Sequence, residues 1–360
     1  MKEWLQEHIP LLSKREHGSK SWAKLDFSIN TNPLGPSALI MDFLQQSDRS
    51  WICKYPLEQA YLFKEQIAKK LKVNQEQVVI GNGAAELFFL LPRVLRVNQG
   101  IVVHPTFSEY EASLQAANVP IKRIFYEIDG DRFIFPLERL KAILSKGDLL
   151  YICRPNNPTG QMISLEEMVE VIQLVKDRQA LLVVDESFIE FTSEPYGLIQ
   201  LFQEDTPLIL VRSLTKFYSI PGIRLGYAIG PSWLVHSMEL IRDPWTVNAL
   251  AQQVGIILLD DISFREETRA WIHQEQKWFY QEMKQIDGYH IYPTTTNFYL
   301  VHTSFSVDRL EQELKKKRIA IRLAHSFPGL DDHFIRLAIK TREENLELLK
   351  ELKQFDISSS

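Results

Sequence analysis

Five short apolar runs set the tightest limit on what this chain can fold into: Val78–Ile80, Ile101–Val103, Leu149–Ile152, Leu181–Val184 and Leu208–Val211. Each is continuously apolar rather than alternating. A strand reads this way when both of its faces are covered, which is the situation in a parallel sheet. Helical patterns separate several of the runs. One opens at Ser164 with Glu167 on its first turn, the reciprocal pair that satisfies free N–H groups at a helix start. Strand and helix in alternation predict an α/β layered architecture. In an open parallel sheet ligands bind beyond the carboxyl ends of the strands, so the residues after each run matter most. They are Gly81-Asn-Gly-Ala-Ala-Glu86, His104-Pro-Thr-Phe107, Arg154-Pro-Asn-Asn-Pro-Thr-Gly160, Asp185-Glu-Ser-Phe188 and Arg212-Ser-Leu-Thr-Lys-Phe-Tyr218. Such a sheet collects all of these polar and special residues on one edge.

The last third reads differently. His290–His302, Ile319–Leu323 and Phe334–Lys340 have strand character, and helical patterns at Val307–Lys317 and Thr341–Phe355 interleave with them. The second helix again opens on a capping pair, Thr341 and Glu344. A smaller α+β domain is expected here. The segment before Met41 is weakly patterned and carries a turn at Asn32–Pro36; it is expected to pack as an arm on the small domain or on a partner chain. The expected division is 1–40 as an N-terminal arm belonging to the small domain, 41–243 as the large domain and 244–360 as the small C-terminal domain. The tail Ser358–Ser360 is expected to fray.

Charge and cysteine usage narrow the function. A net charge of −5 argues against a general nucleic-acid or membrane-surface role, since both need concentrated positive charge. The basic run Lys315–Arg318 lies in a helical pattern and reads as a solvated face. Cys53 and Cys153 form no metal-type or redox-type pair, which suits a reducing compartment, and no metal site is expected because HExxH is absent. The first residues, MKEWLQEHIP, carry charge where a secretory leader needs an apolar run. No stretch approaches the ~20 apolar residues of a membrane span. A soluble, cytoplasmic protein is expected.

The chemistry lies after the runs. Gly81–Glu86 is a glycine-containing turn into a helix start, where free N–H groups favour an anion. It lacks the third glycine of a dinucleotide fingerprint, and an ordinary strand–helix turn reads the same way. Asp185 closes an apolar strand; a half-buried carboxylate there needs a cationic or donor partner, and a cap or structural ion pair accounts for it equally well. Ser213-Leu-Thr-Lys216 spells the SxxK of serine acyl-transfer enzymes, but the companion SDN and KTG elements are missing. The other reading is a Schiff-base lysine, made nucleophilic by partial burial beside a cation, and Arg224 can supply both that cation and a phosphate ligand.

At Ser213–Tyr227, SLTKFYSIPGIRLGY, the chain resembles the lysine segment of the aspartate aminotransferase superfamily of pyridoxal-phosphate enzymes, with NNPTG at 156–160 and the Asp185 strand in the expected order before it. Within that superfamily it is most similar to the threonine-phosphate decarboxylases of cobalamin synthesis. The similarity lies at Leu25–Gly35 (LDFSINTNPLG), within DESFIEF, at the lysine segment and at Pro244–Ala251 (PWTVNALA). Histidinol-phosphate aminotransferases are the near relatives; they usually carry Tyr where this chain has Phe188. Two segments depart from the decarboxylases: His325-Ser-Phe-Pro-Gly329 stands where Asn-Tyr-Pro-Gly is expected, and His17-Gly18 lies closer to Leu25 than the corresponding His-Gly.

The resemblance implies the type I fold of pyridoxal-phosphate transferases, a large domain with a mainly parallel sheet and a smaller α+β domain. It implies that Lys216 holds the cofactor through its aldehyde, that Asp185 pairs with the pyridine nitrogen, that Asn157 donates to the ring oxygen and that Phe107 stacks on the ring. The N–H groups of Gly83, Ala84 and Ala85, with Ser213 and Arg224, would hold the cofactor phosphate. Tyr55 would reach the phosphate in a partner subunit, which makes the protein a homodimer. Arg336 would grip the substrate carboxylate, with Arg322, Asn30 and Asn157 also contacting substrate and Arg322 near its phosphate. The implied reaction is decarboxylation of L-threonine O-3-phosphate, a small phosphorylated amino acid. Transamination of histidinol phosphate is the alternative. A non-catalytic binding protein is a third reading, against which Lys216, Asp185 and Arg336 together argue.

Overall fold

The structure, a computed structural model, describes residues 18–46, 50–194 and 196–355. His17, the segment before it and the tail Ser358–Ser360 lie outside the described residues. In chain order the strands are β1 (Leu25–Asp26), β2 (Val78–Gly81), β3 (Gly100–His104), β4 (Ile121–Phe125), β5 (Glu127–Asp129), β6 (Arg132–Ile134) and β7 (Leu149–Cys153). They continue as β8 (Leu181–Asp185), β9 (Leu208–Ser213), β10 (Gly226–Ile229), β11 (Tyr289–Ile291), β12 (Phe298–Thr303), β13 (Ile319–Ala320), β14 (Arg322–Leu323) and β15 (Phe334–Ala338).

The large sheet has the order β2-β10-β9-β8-β7-β3-β4. All five runs picked out by their apolar continuity are strands of it. Those of β2, β3, β7 and β9 are buried throughout, and only Leu181 of β8 is partly open. Helices cover both faces, so the strands have no polar side to show. Pairing is parallel from β9 through β8, β7 and β3 to β4, whereas β10 runs antiparallel to both β9 and β2. This reversal was not anticipated. Its consequence is topological: the chain enters β10 at the edge where its neighbours end, which carries Arg224 to the carboxyl edge of the sheet. Gly226 is in register with both Gly81 and Ser213, and a Cβ there would stand 2.7 Å from the Ala84 nitrogen and 2.8 Å from the Arg212 carbonyl oxygen.

The second sheet, β11-β12-β15-β14, is antiparallel. The expected strand His290–His302 is in fact two, with a break around Pro293 that pairs β11 back onto β12. β1 pairs in parallel with β13, so the segment after Gly18 joins the C-terminal part of the chain. Both capping pairs form: the Ser164 hydroxyl accepts from the Glu167 N–H, and the Thr341 hydroxyl from that of Glu344. The helix Ile262–Met283 ties the two sheets together. Phe264 packs against Phe217 and Tyr218 beside the lysine segment, while Phe279 stacks on Tyr299 of β12. Lys315–Arg318 is exposed. Among the described residues no helix is long and apolar enough to cross a membrane, and Cys53 (exposed) and Cys153 (buried) are both free.

Candidate active site

The carboxyl edge of the large sheet faces β14, β15 and the segment around Asn30 across a cavity of about 840 Å³. Lys216 lines it, one turn past the end of β9. Its Nζ lies 3.3 Å from the Thr215 hydroxyl, which in turn contacts the Ser213 hydroxyl at 2.8 Å. Burial, reinforced by the nearby Arg224 and opposed by Asp185, pulls the Lys216 amine down to about 8. An appreciable share of the side chain is then neutral and nucleophilic near neutral pH.

Asp185 ends β8 in the layer below. The half-buried position expected from sequence is wrong in degree: the residue is 4% exposed. Its donors are hydroxyl and amide groups rather than a cation. Tyr110 donates its hydroxyl to Oδ2 at 2.5 Å, and the Ser187 N–H donates to Oδ1 at 2.8 Å. Burial nevertheless raises its pKa, with Ser187, Tyr110 and Lys216 pulling the other way. A carboxylate in this state gains most from a positive partner brought by a ligand.

Gly83 precedes the helix Ala84–Val94, whose first turn has no side-chain cap. Gly83 has φ +79°, and a Cβ there would lie 2.5 Å from Nη2 of Arg224. The glycine thus lets a guanidinium close over a helix start, combining free N–H groups, a favourable dipole and a full positive charge. Ala85 and Phe107 line the cavity beside it, and Phe107 meets Tyr110 edge-on at 5.7 Å.

The opposite wall is cationic. Arg336 in β15 is 7% exposed; it donates from Nη1 to the Asn157 side-chain oxygen at 2.6 Å and from Nη2 to the Ser28 carbonyl at 2.7 Å, and its Nε has no partner. Burial, then Arg322, push it down to about 9. Arg322 in β14 is in direct register with Arg336 and donates to the Ser326 hydroxyl at 2.7 Å. Asn30 lines the same cavity with its side-chain oxygen unpartnered, and its backbone carbonyl accepts from Asn297 at 3.0 Å. Phe188 is also in the lining, packed on Phe298 with ring centres 5.0 Å apart.

Of the residues picked from sequence, the cavity thus brings together Asn30, Ala85, Phe107, Asn157, Lys216, Arg224, Arg322 and Arg336. Gly83, Ala84, Asp185 and Ser213 are not in that lining, though Gly83 adjoins Arg224 and the Ser213 hydroxyl contacts that of Thr215 beside Lys216. Tyr55 is outside it: the side chain is 80% exposed and its ring rests 4.8 Å from that of Trp245. Gly18 reaches the cavity, as do His325 and Ser326 of the segment that departs from the decarboxylase pattern. Sequence reasoning missed Tyr110, Ser28 and a network in which Glu111 holds His104 at 2.8 Å and Arg123 at 2.6 and 2.7 Å. Burial alone would raise Glu111, but these partners win and bring it down to about 2.

The sequence profile of the aminotransferase class I and II family matches residues 23–352. The chain belongs to this family. Threonine-phosphate decarboxylase of Salmonella typhimurium is 32% identical over 332 residues, covering 91% of this chain and 90% of that protein. Histidinol-phosphate aminotransferase of Methanosphaera stadtmanae is 29% identical, covering 97% of each. Among solved structures, histidinol-phosphate aminotransferase from Clostridium acetobutylicum superposes with a TM-score of 0.84 at 30% identity, covering 92% of this chain and 98% of that one. Aminotransferases of class I and II depend on pyridoxal phosphate, and the site fits that molecule feature by feature. It offers an anion cradle at Gly83 and Arg224, a buried carboxylate lacking a cationic partner at Asp185, and a depressed amine at Lys216.

Proposed function

We propose that this chain decarboxylates L-threonine O-3-phosphate, releasing carbon dioxide and (R)-1-aminopropan-2-yl phosphate for cobalamin synthesis. The observation that carries the reading is the register pair Arg322 and Arg336, two guanidiniums on adjacent strands lining one cavity. Two guanidiniums facing one cavity suit a substrate that carries two anionic groups. A phosphorylated amino acid brings both a carboxylate and a phosphate. Histidinol phosphate brings only the phosphate, and in that reading Arg336 would meet a carboxylate only with the 2-oxo acid. The relationship to the Salmonella decarboxylase supports the same choice, as does Phe188, which offers no hydroxyl to the cofactor.

Bound pyridoxal phosphate supplies an electron sink, a protonated ring conjugated with the substrate's α-carbon. In our assignment Asp185 keeps the proton on the ring nitrogen, Asn157 donates to the ring oxygen and Phe107 covers a ring face. The N–H groups of Gly83, Ala84 and Ala85, with Ser213 and Arg224, take the phosphate. Arg336 and Arg322 fix the two ends of the substrate, with Asn30 between. Remote binding energy at the phosphate then sets the torsion about the α-carbon. Arg336 and Arg322 would thus hold the substrate so that the bound cofactor can take up the electrons of its carboxylate carbon–carbon bond, and the Lys216 ammonium would return a proton to the α-carbon.

We further propose a homodimer in which Tyr55 contacts the cofactor phosphate of the partner subunit. Supporting this, Tyr55 and Ile52 lie in one exposed stretch, 80% and 86% exposed, outside their own cavity. The domain division at residues 40 and 243 is our reading of the same fold, supported by the β1–β13 pairing. A cytoplasmic location is consistent with two free cysteines.

The test is carbon dioxide release from O-phospho-L-threonine with pyridoxal phosphate and no 2-oxo acid. Multiple turnovers that vanish in Lys216→Ala are expected. No release, with turnover of histidinol phosphate once 2-oxoglutarate is supplied, overturns the reading in favour of transamination.

A further inference from the structure

Apart from the residues assigned to cofactor and substrate, one charged network lines the same cavity: His104, Glu111 and Arg123. His104 closes β3 and is 1% exposed. Its Nε2 lies 2.8 Å from the Glu111 carboxylate, which is ionised at neutral pH, so this nitrogen carries the proton and donates. Its Nδ1 has no partner among the described residues, and the Glu111 bond therefore fixes the plane of the ring. Arg123 in β4 closes on the same carboxylate with both Nε and Nη2, at 2.6 and 2.7 Å. A bidentate pair of this kind is directional as well as strong. It ties the helix Glu109–Ala116 to strands β3 and β4.

The contacts continue beyond that tie. Phe125 is in register with His104 on the neighbouring strand and is 44% exposed, so the core does not hold its ring. The His104 ring lies 5.7 Å from it at an angle of 35°. On Phe125 rests the backbone of Gly329: with φ +92°, a Cβ there would stand 2.9 Å from the phenylalanine ring and 3.9 Å from Pro105. The segment leading to Gly329 is a compact turn, in which the Phe327 N–H donates to the Ala324 carbonyl at 2.9 Å and the Leu330 N–H to that of Phe327 at 3.1 Å. That turn holds Arg322. The Ser326 hydroxyl accepts from its Nη2 at 2.7 Å, and the Phe327 ring lies 5.3 Å from its guanidinium carbon.

We propose that Glu111 is a positioning residue for the substrate's phosphate anchor: with His104 and Arg123 it sets the Phe125 ring on which the Gly329 turn rests, and through Ser326 of that turn it orients Arg322. The inference rests on the assignment of Arg322 to the substrate phosphate. Its consequence is a reference distance. Lys216 stands at the carboxyl edge of the large sheet, and this path fixes Arg322 to the same edge as well as to β14. Binding energy at the phosphate serves the reacting carbon only when the two are held in one frame.

The test is calorimetric titration of the pyridoxal-phosphate-loaded protein with the phosphate ester of (R)-3-hydroxybutanoate, which is the substrate without its amine. It carries both anions, and lacking the amine it neither displaces Lys216 nor turns over. Glu111→Gln is expected to weaken binding about fivefold, but about twofold or less when Ser326→Ala is already present, because both changes cut one path. Should Glu111→Gln disturb the fold, Arg123→Gln, at a half-exposed side chain, gives the same pattern. Unchanged affinity in Glu111→Gln, or a loss equal with and without Ser326→Ala as a purely structural tie produces, overturns the inference and leaves the decarboxylase reading standing. No binding of the ester to the unaltered protein overturns the assignment of Arg322, and the inference with it.

Discussion

The hydrogen bond from Tyr110 to Asp185 allows a sharp test of how the site is tuned. Tyr110→Phe removes one oxygen and leaves the ring, which stacks on Tyr151 at 5.3 Å and meets Phe88 and Phe107 edge-on. The change therefore isolates the hydroxyl. A neutral hydrogen bond contributes about 1 kcal/mol, and one to a charged group about 1.5–3 kcal/mol. The hydroxyl thus favours ionised over protonated Asp185 by about 0.5–2 kcal/mol. At 1.36 kcal/mol per unit, its loss lifts the carboxyl's pKa by about half a unit to one and a half units. The direction with pH follows. Burial already raises the folded pKa of Asp185 above its unfolded value. Stability from this group is accordingly complete below the unfolded pKa and is lost as pH rises through the folded one. The variant carries a higher folded pKa, so it loses more over the same rise. Unfolding of the cofactor-free protein, followed at a series of pH values, should show a deficit of about 1 kcal/mol at the acid end that grows to about 1.5–3 kcal/mol and then levels off. A deficit independent of pH, or one that shrinks as pH rises, refutes the assignment of Tyr110 as the donor that sustains the carboxylate.

Further expectations concern the two walls of the cavity. Arg336→Gln should lower kcat/KM for O-phospho-L-threonine by about 10²–10³, the scale of losing one partner of a buried charge pair; steady-state kinetics that change less than tenfold count against a carboxylate clamp. Gly83→Ala forces a side chain into a φ of +79° and within 2.5 Å of the Arg224 guanidinium, so cofactor affinity, measured by equilibrium dialysis, should fall at least tenfold. The rate at which cofactor-free protein captures pyridoxal phosphate should rise with pH and level off above about 8, where Lys216 has lost its proton. A rate still climbing toward pH 10, as for a surface lysine, contradicts a depressed amine.

What was legible in the sequence and what was not divides along physical lines. The five apolar runs are strands because a residue covered on both faces has no polar alternative, and that constraint is local. The residues after them were legible because parallel strands share a carboxyl edge. β10 was missed because GYAI follows directly on the loop that carries Arg224, and nothing local distinguishes antiparallel entry from one more parallel strand. Tyr110 was missed for a different reason. It lies in a short helix, Glu109–Ala116, whose mixed polar and apolar residues show no periodic face, and meets Asp185 only through the packing of that helix on the sheet. The polar partners of Arg336 come from Ser28 and Asn157, 308 and 179 residues away in the chain, so no motif spacing could carry them.

The same division bears on how one fold serves two reactions. The residues assigned to the cofactor, Lys216, Asp185, Arg224 and the Gly83 turn, come from the large sheet. Those assigned to the substrate, Asn30, Arg322 and Arg336, come from β14, β15 and the segment after β1, which is anchored beside them through β13. Beside the core and the helix Ile262–Met283 that join the two parts, two contacts lie at the cavity itself. Arg336 holds the Asn157 side chain of the large-sheet edge, and the Gly329 turn approaches Phe125 and Pro105 so closely that a Cβ would lie 2.9 Å from the phenylalanine ring. The two guanidiniums thus stand on β14 and β15 while the cofactor cradle stands on the large sheet. In the assignment proposed above, the torsion at the substrate's α-carbon would follow from where β14 and β15 hold those guanidiniums. Differences that select decarboxylation over transamination belong at this junction, in Ser28–Asn30 and His325–Gly329, rather than in the lysine segment that the two activities share.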